Sequence, residues 1–138
     1  MPRADYKLMI PAVQKKLQSS AELSTRQTFY ETAGRVIDGT PVDTGACKAH
    51  WYLGNVRPSG FNKDKTDKSG SRTKALAAQQ ARGINVRTKV YLTNTAPYCN
   101  RLEHGWSKQQ PNGWIMATVA STGAAFRRLF KAAYGQQG

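Results

Sequence analysis

Apolar residues recur at helical spacing along residues 20–38, which predicts an amphipathic helix with one face on the core. The predicted stripe consists of Leu23, Phe29, Tyr30, Ala33, Val36 and Ile37. A similar spacing runs upstream from Leu8 to Leu17 but contains Pro11, and this favours a separate short helix that begins near the proline. The long helix is expected to end at Gly39, Thr40 and Pro41.

The middle of the chain shows alternating rather than helical patterns in two places. Residues 47–56 predict a strand covered on both faces, and residues 85–93 predict a second strand with one face on the core. Between them, residues 58–70 form a predicted mobile basic loop, within a segment of net charge +4 over residues 57–74. An alanine-rich helix follows over residues 72–82, and we expect Gly83 to end it in the left-handed conformation.

The last third predicts a short helix and a long one. Asn94 or Thr95 is placed to cap the short helix, and Gly105 to end it. The long helix is expected over residues 113–134, with an apolar stripe made of Ile115, Val119, Phe126, Leu129, Phe130 and Ala133. The element order predicts a single α+β domain over residues 1–138, with a small antiparallel sheet packed against two long helices and short connecting helices.

The charge of the chain is unusual and uneven. It holds 21 Lys and Arg against 8 Asp and Glu, a net charge of +13. Residues 1–46 carry only +1, so nearly all of the excess lies in the remainder. A basic surface of this kind suits a polyanion, although a solvated face that keeps the protein in solution is the alternative. The sequence also lacks an apolar segment long enough for a membrane span, so we expect no membrane contact.

The sequence offers no convincing active site. Ser107 lacks the second glycine of a nucleophile elbow, and Glu103 beside His104 is better explained as a cap or loop anchor than as an acid or base. Cys47 with His50 and Cys99 with His104 have spacings that point their side chains apart, so we expect packed thiols and surface imidazoles rather than zinc. We therefore predict no catalytic residue, cofactor or metal.

Two turns are the most specific features of the chain. The first is Thr40-Pro41-Val42-Asp43-Thr44-Gly45, followed by Trp51. Pro41 stops the helix, Asp43 or Thr44 can bond nearby backbone N–H groups, and Gly45 supplies a positive φ. The second turn runs from Tyr91 to Pro111, and its characteristic residues are Pro97, Tyr98, Leu102, Glu103, Gly105, Ser107 and Pro111.

Together these turns resemble the tail-completion, or neck, family of tailed double-stranded DNA bacteriophages. That family typically shows Pro-Val-Asp-Thr-Gly-Arg followed by Trp, then Tyr-x-x-x-Leu-Glu-x-Gly-x-Ser-x-Gln-Ala-Pro. The resemblance covers about residues 20–120 in order and spacing. Ala46 stands where the family commonly has Arg, and Gln110 where it commonly has Ala. Lys48 keeps a positive charge near the position of the missing Arg.

The resemblance implies a non-enzymatic virion protein, made in the host cytoplasm, that completes the tail and helps to join it to the DNA-filled head. Its expected partners are copies of itself in a ring, a hexamer with a dodecamer as the alternative, and neighbouring neck, head-closure, tail-terminator or tail-tube proteins. We also expect weak, sequence-independent contact with phage DNA. The residues predicted to face DNA or a partner are Lys63, Lys65, Lys68, Arg72, Lys74, Arg127, Arg128 and Lys131. The alternatives are a DNA-binding protein that acts outside the virion and, least favoured, a small nuclease.

Overall fold

A computed structural model describes the backbone from residue 3 to residue 136 and the side chains from residue 10 to residue 136. Five helices and two strands follow one another along this part of the chain, and a 3-10 turn at Lys48–His50 precedes the first strand. The elements are α1 (Arg3–Gly39), β1 (Trp51–Gly54), α2 (Ser71–Gly83), β2 (Tyr91–Asn94), α3 (Cys99–Arg101), α4 (Ile115–Ala120) and α5 (Thr122–Gln136).

The architecture is α+β, as the sequence predicts. The strands β1 and β2 form a two-stranded antiparallel sheet in which Trp51 pairs with Asn94 and Leu53 with Leu92. On the other edge of β1, the Leu53 N–H donates to Gln80 Oε1 of α2 at 2.9 Å. α5 runs antiparallel to α1, because Ser121 at its start contacts Arg35 and Tyr134 near its end contacts Lys16.

The helix α1 continues without a break through Pro11, so the prediction of a separate short helix is wrong. A proline removes one backbone hydrogen bond and crowds the preceding turn, but helical geometry can resume on its N-terminal side. The residues around it, among them Leu8, Met9, Ala12 and Gln14, are good helix formers.

The buried face of α1 also differs from the predicted stripe. Ala33, Val36 and Ile37 are fully buried, as expected, whereas Leu23 and Tyr30 are more than 40% exposed. The buried positions on the side of α5 are instead small and polar, namely Ser20, Ser24 and Thr28. The hydroxyls of Ser24 and Thr28 donate to carbonyls one turn back, at 2.6 and 2.7 Å. Small side chains let α5 approach closely, so hydrophobic periodicity alone misses this face.

Both strands are shorter than predicted. Residues 47–50 turn instead of extending, since the His50 N–H donates to Cys47 O at 3.1 Å. Residues 85–90 form a loop that is held by Asn55, whose side-chain amide donates to Asn85 O and Lys89 O at 2.9 Å. A hydrogen bond over a short turn at residues 47–50, and side-chain bonds from the distant Asn55 at residues 85–90, thus replace the ladder that alternation predicts.

The predicted C-terminal helix is divided in two at Ser121. The Ser121 hydroxyl donates to Thr118 O at 2.8 Å, and the backbone there turns before α5 begins. Along the predicted stripe, Ala133 is buried, whereas Val119 is 46% exposed.

The basic loop lacks helix and strand, and residues 62–65 are exposed, but it is attached to its own chain at several points. The Asn62 N–H donates to His50 Nε2, and the Phe61 ring lies 4.6 Å from the His50 ring. Asp67 is buried and accepts hydrogen bonds from the Thr73 N–H and hydroxyl at 2.8 Å. Burial acts to raise the pKa of Asp67, but these bonds outweigh it and leave the pKa lowered. Mobility of this loop stays a prediction, most relevant to residues 57–60.

The glycine that takes the left-handed conformation beside α2 is Gly70, at its start, and not Gly83, at its end. Gly70 has φ +80°, and a Cβ there would lie 2.9 Å from Ile37 Cγ2. The prediction for Gly83 is wrong because α2 extends through it, with Ile84 already in extended conformation.

Candidate functional site

The two turn motifs of the sequence meet across one surface cleft of about 660 Å³. One wall is the first turn, residues 41–47, and the other consists of residues from the second motif. Phe61, Lys63 and Asp64 of the basic loop close one side. The residues of the second motif that line the cleft are Tyr98, Leu102, Trp106, Ser107 and Gln109.

The first turn is built around Gly45, whose φ of +89° confirms the predicted left-handed conformation. A Cβ at this position would lie 2.8 Å from Lys68 N, so any side chain would strain the backbone and collide with the loop. Gly45 O accepts the N–H groups of Ala49 and Asp67 at 3.1 and 3.0 Å. Thr44 Oγ1 accepts the Ala46 N–H at 3.2 Å, while Asp43 is exposed at the cleft.

Two glutamines of the second motif bind the first turn and the end of α1. The Gln109 side chain bonds both backbone groups of Val42, since its Nε2 donates to Val42 O at 2.7 Å and its Oε1 accepts the Val42 N–H at 2.9 Å. Gln110 Nε2 donates to Gly39 O at 2.8 Å. The side chain at the position where the family commonly has Ala thus satisfies a carbonyl at the C-terminus of α1.

Two tryptophans are bonded to the last turn of α1. The Trp114 Nε1–H donates to Val36 O at 2.9 Å, and Trp51 Nε1–H donates to Thr40 Oγ1 at 2.8 Å. The Thr40 hydroxyl in turn donates to Val36 O at 2.7 Å. Trp51 belongs to the first motif, whereas sequence reasoning did not single out Trp114. The sequence signal that could have identified Trp114 is its position next to a glycine and before the start of a helix.

Glu103 caps α4, which is the role that the sequence favours for it. Its Oε1 accepts the N–H groups of Trp114 and Ile115 at 2.6 and 2.9 Å, and its Oε2 accepts that of Met116 at 2.9 Å. Burial acts to raise the pKa of Glu103, but the three hydrogen bonds prevail and leave the pKa below its ordinary value. Gly113, with φ +76°, lies against this carboxylate, and a Cβ there would collide with it.

The second motif turns sharply between α3 and Pro111. Asn94 Oδ1 accepts the Ala96 N–H at 2.8 Å before the buried Cys99 starts α3, and Pro97 lies exposed between them. Gly105, with φ +94°, ends the turn that follows α3, so the prediction that the short helix stops at this glycine is confirmed. Ser107 Oγ accepts the Gln109 N–H at 3.1 Å and so orients the glutamine that binds Val42.

His50 and the two cysteines lie inside the domain behind the first turn. His50 is 1% exposed, so its prediction as a surface imidazole is wrong. Its Nδ1–H donates to Ala46 O at 2.6 Å and its Nε2 accepts the Asn62 N–H, which fixes a neutral tautomer. Cys47 and Cys99 are buried free thiols in the core. The Cys99 thiol donates to Cys47, which lowers the pKa of Cys47, and this bond together with burial raises the pKa of Cys99.

The candidate basic residues divide into paired and unpaired ones. Lys74 Nζ lies 2.8 Å from Asp38 Oδ1, which raises the pKa of Lys74, and Arg128 binds Glu31 at 2.6 Å. Lys65 Nζ contacts the Tyr52 hydroxyl at 3.0 Å, and Arg72 donates to Thr66 O at 3.0 Å. Of these candidates, Lys63, Lys68, Arg127 and Lys131 are exposed and have neither an ion pair nor a side-chain hydrogen bond among the described residues, and we call these four the unpaired cations.

The polar groups of the site therefore bond backbone groups and fix turns. Within residues 10–136, no three His, Cys, Asp or Glu side chains come together as a metal site would require. In the described part of the chain, none of the helices combines the length and apolarity that a membrane crossing needs. Comparison with family models, with curated proteins and with solved structures finds no match to this chain.

Proposed function

We propose that the chain is a non-enzymatic structural protein of a tailed double-stranded DNA bacteriophage, located in the virion at the neck or the head-proximal end of the tail. In this proposal a ring of copies completes the tail and joins it to the DNA-filled head. The expected ring is a hexamer, with a dodecamer as the alternative. Its neighbours are head-closure, tail-terminator or tail-tube proteins.

The observation that carries the proposal is the convergence of both motifs on one hydrogen-bonded joint. Gln109 bonds Val42, and Glu103 fixes the start of α4. Trp51, the aromatic residue of the first motif, is bonded to the last turn of α1 through Thr40. Gln109 and Glu103, two residues that support the resemblance, thus hold backbone groups in place. Rigid positioning of long helices suits a protein that keeps neighbouring subunits in register.

The test is deletion of the gene from the phage or prophage that encodes it. We expect DNA-filled heads and separate tails that fail to join, and complementation with the wild-type gene should restore complete particles. An electron-microscopic reconstruction of those particles should show density for the chain between head and tail. Complete, infectious particles without the protein would overturn the proposal.

A second candidate, a sequence-nonspecific DNA-binding protein that acts outside the virion, is favoured by the unpaired cations Lys63, Lys68, Arg127 and Lys131. A free DNA-binding protein should be a monomer or dimer and should be missing from purified particles. A neck protein should be present in particles and should associate with copies of itself or with neck partners. Native mass spectrometry of the purified protein and protein analysis of particles separate the two.

A further inference from the structure

The N-terminal part of α1 precedes the first buried residue of that helix among the described side chains, and we define residues 3–19 as the arm. From residue 10 to residue 19 its side chains are exposed, apart from the half-buried Lys16, and the first buried residue is Ser20. α5 ends beside Lys16, whose Nζ lies 4.1 Å from the centre of the Tyr134 ring. At a rise of 1.5 Å per residue, the arm is roughly 25 Å long.

The arm carries an apolar stripe on one face. Ile10, Val13 and Leu17 are 59%, 43% and 44% exposed. Their i, i+3, i+7 spacing places them in one row, which is the arrangement that anchors a helix in an apolar groove. The same row continues into Ser20 and Ser24, which are fully buried on the side of α5. The stripe is therefore the uncovered continuation of a helix face that is covered further along.

A matching apolar groove of about 540 Å³ lies on the flank of the same chain. It runs between the middle of α1, the sheet and the junction of α4 with α5, and its walls include Leu53, Leu92, Val119 and Phe126. None of the described residues that line it is charged. An uncharged groove of this size accepts aliphatic side chains without desolvating an ion.

We propose that this groove receives the arm of a second copy of the chain, with Ile10, Val13 and Leu17 of one subunit against the groove of the next. The inference rests on the ring assembly of the proposed function and names the surfaces that form it. An arm cannot fill the groove of its own chain, because Thr25, Thr28, Phe29 and Thr32 of the groove belong to the same unbroken helix. The occupant must be another molecule.

The absence of charge on these two surfaces favours them as the place where two copies of the chain meet. Two chains of net charge +13 repel each other, so they approach best where both are uncharged. The stripe and the groove meet that condition, and helical geometry places Lys15 on the side of the arm away from the stripe. Because arm and groove are different surfaces, each subunit gives one arm and receives one, and such contacts form a ring when the rotation between neighbouring subunits closes.

The test uses two variants and two matched controls. Val13→Glu with Leu17→Glu blocks the arm, and Ala12→Glu with Ser19→Glu adds the same charge to its opposite, exposed side. Val119→Glu blocks the groove, and Met116→Glu adds the same charge at an exposed position of α4 outside it. All of these positions are exposed, and circular dichroism should show unchanged helix content.

We expect native mass spectrometry to show assemblies for the wild type and both controls, and monomers for the arm and groove variants, whose self-association should weaken at least about tenfold. An equal mixture of the arm and groove variants should form dimers and nothing larger, because it retains one intact groove and one intact arm. Variants that assemble like the wild type would overturn the inference and leave a ring built on other surfaces. A wild type that stays monomeric at millimolar concentration would also overturn the inference. The proposed function is tested separately, by whether phage heads join to tails.

Discussion

Trp51 and Trp114, which are 63 positions apart in the sequence, belong to one hydrogen-bond network around the backbone carbonyl of Val36. Trp114 donates to it directly, and Trp51 reaches it through the hydroxyl of Thr40. The Thr40 N–H donates to Ile37 O instead, so Val36 O relies on these side chains in place of a helical donor. The end of α1 is thereby joined to the first motif through Trp51 and to the segment that follows the second motif through Trp114.

Removal of both donors to Val36 O should destabilise the protein by more than the sum of the single effects. Trp114→Phe leaves the Thr40 donor, and Thr40→Val leaves the Trp114 donor, so each alone keeps this buried carbonyl bonded. The double variant leaves it unsatisfied, which should add about 1–2 kcal/mol of non-additive loss. Urea unfolding of the four proteins measures this coupling. Additive losses would show that the carbonyl is hydrated or re-bonded.

Glu103 should contribute stability that depends on pH. Its pKa is lowered in the folded protein from an ordinary value of 4.5, so its contribution is fully present above that value and is lost as the pH falls through the folded pKa. Glu103→Gln should lower the free energy of unfolding by about 1–3 kcal/mol at pH 7. The wild type and the variant should converge in strong acid.

The matched control for Glu103 is Glu22→Gln, which removes an ion pair of Glu22 with the well-exposed Arg87. It should change stability by less than about 1 kcal/mol, because surface pairs are screened by solvent. Equal losses for the two variants at pH 7 would contradict the capping role of Glu103.

Gly45 and Gly83 should respond in opposite ways to alanine. Gly45→Ala forces a side chain into positive φ and against Lys68 N, and it should destabilise by about 1–3 kcal/mol. Gly83 lies in helical conformation with open space around it, so Gly83→Ala should be neutral or stabilise by up to about 1 kcal/mol. Thermal unfolding distinguishes these outcomes, and an unchanged Tm for Gly45→Ala would refute the strain argument.

The thiols should act as packed core groups. Cys47→Ala and Cys99→Ala should each lose about 1–2 kcal/mol from a small cavity and a lost hydrogen bond. The measurement is chemical unfolding, together with elemental analysis of the purified wild type. Stoichiometric zinc, lost in either variant, would contradict this prediction.

The unpaired cations should dominate any contact with DNA. If they neutralise phosphates, the logarithm of duplex affinity should fall against the logarithm of salt concentration with a slope of about −0.9 per contact. Arg127→Ala with Lys131→Ala should flatten that slope, while Lys74→Ala with Arg128→Ala, at paired positions, should change it less. Negligible duplex binding at physiological salt would favour a solvated basic face.

Sequence patterns predicted the parts of this molecule that depend on local backbone chemistry. Gly45 was expected to take positive φ because of its turn, Gly105 was expected to end the short helix, and Glu103 was expected to cap or anchor a neighbouring segment. The predictions failed where contacts with residues distant in the sequence determine the local structure. Ser20 and Ser24 are buried because α5 lies on them, and residues 85–90 leave the strand because Asn55 binds them from 30 positions away. The hydrophobic periodicity of one segment carries no information about partners so distant in the sequence.

The bonds at the end of α1 also set an order of events during synthesis. Those from Gln109, Gln110 and Trp114 join residues that are 67, 71 and 78 positions apart. While the chain leaves the ribosome, α1 is complete long before these partners emerge, so the carbonyls of Gly39 and Val42 are hydrated until Gln109 and Gln110 arrive. Closure of the joint therefore requires synthesis of the chain at least as far as Trp114, and contacts of such long sequence separation fold slowly. The finished surface of the joint is thus presented only after Trp114 has left the ribosome.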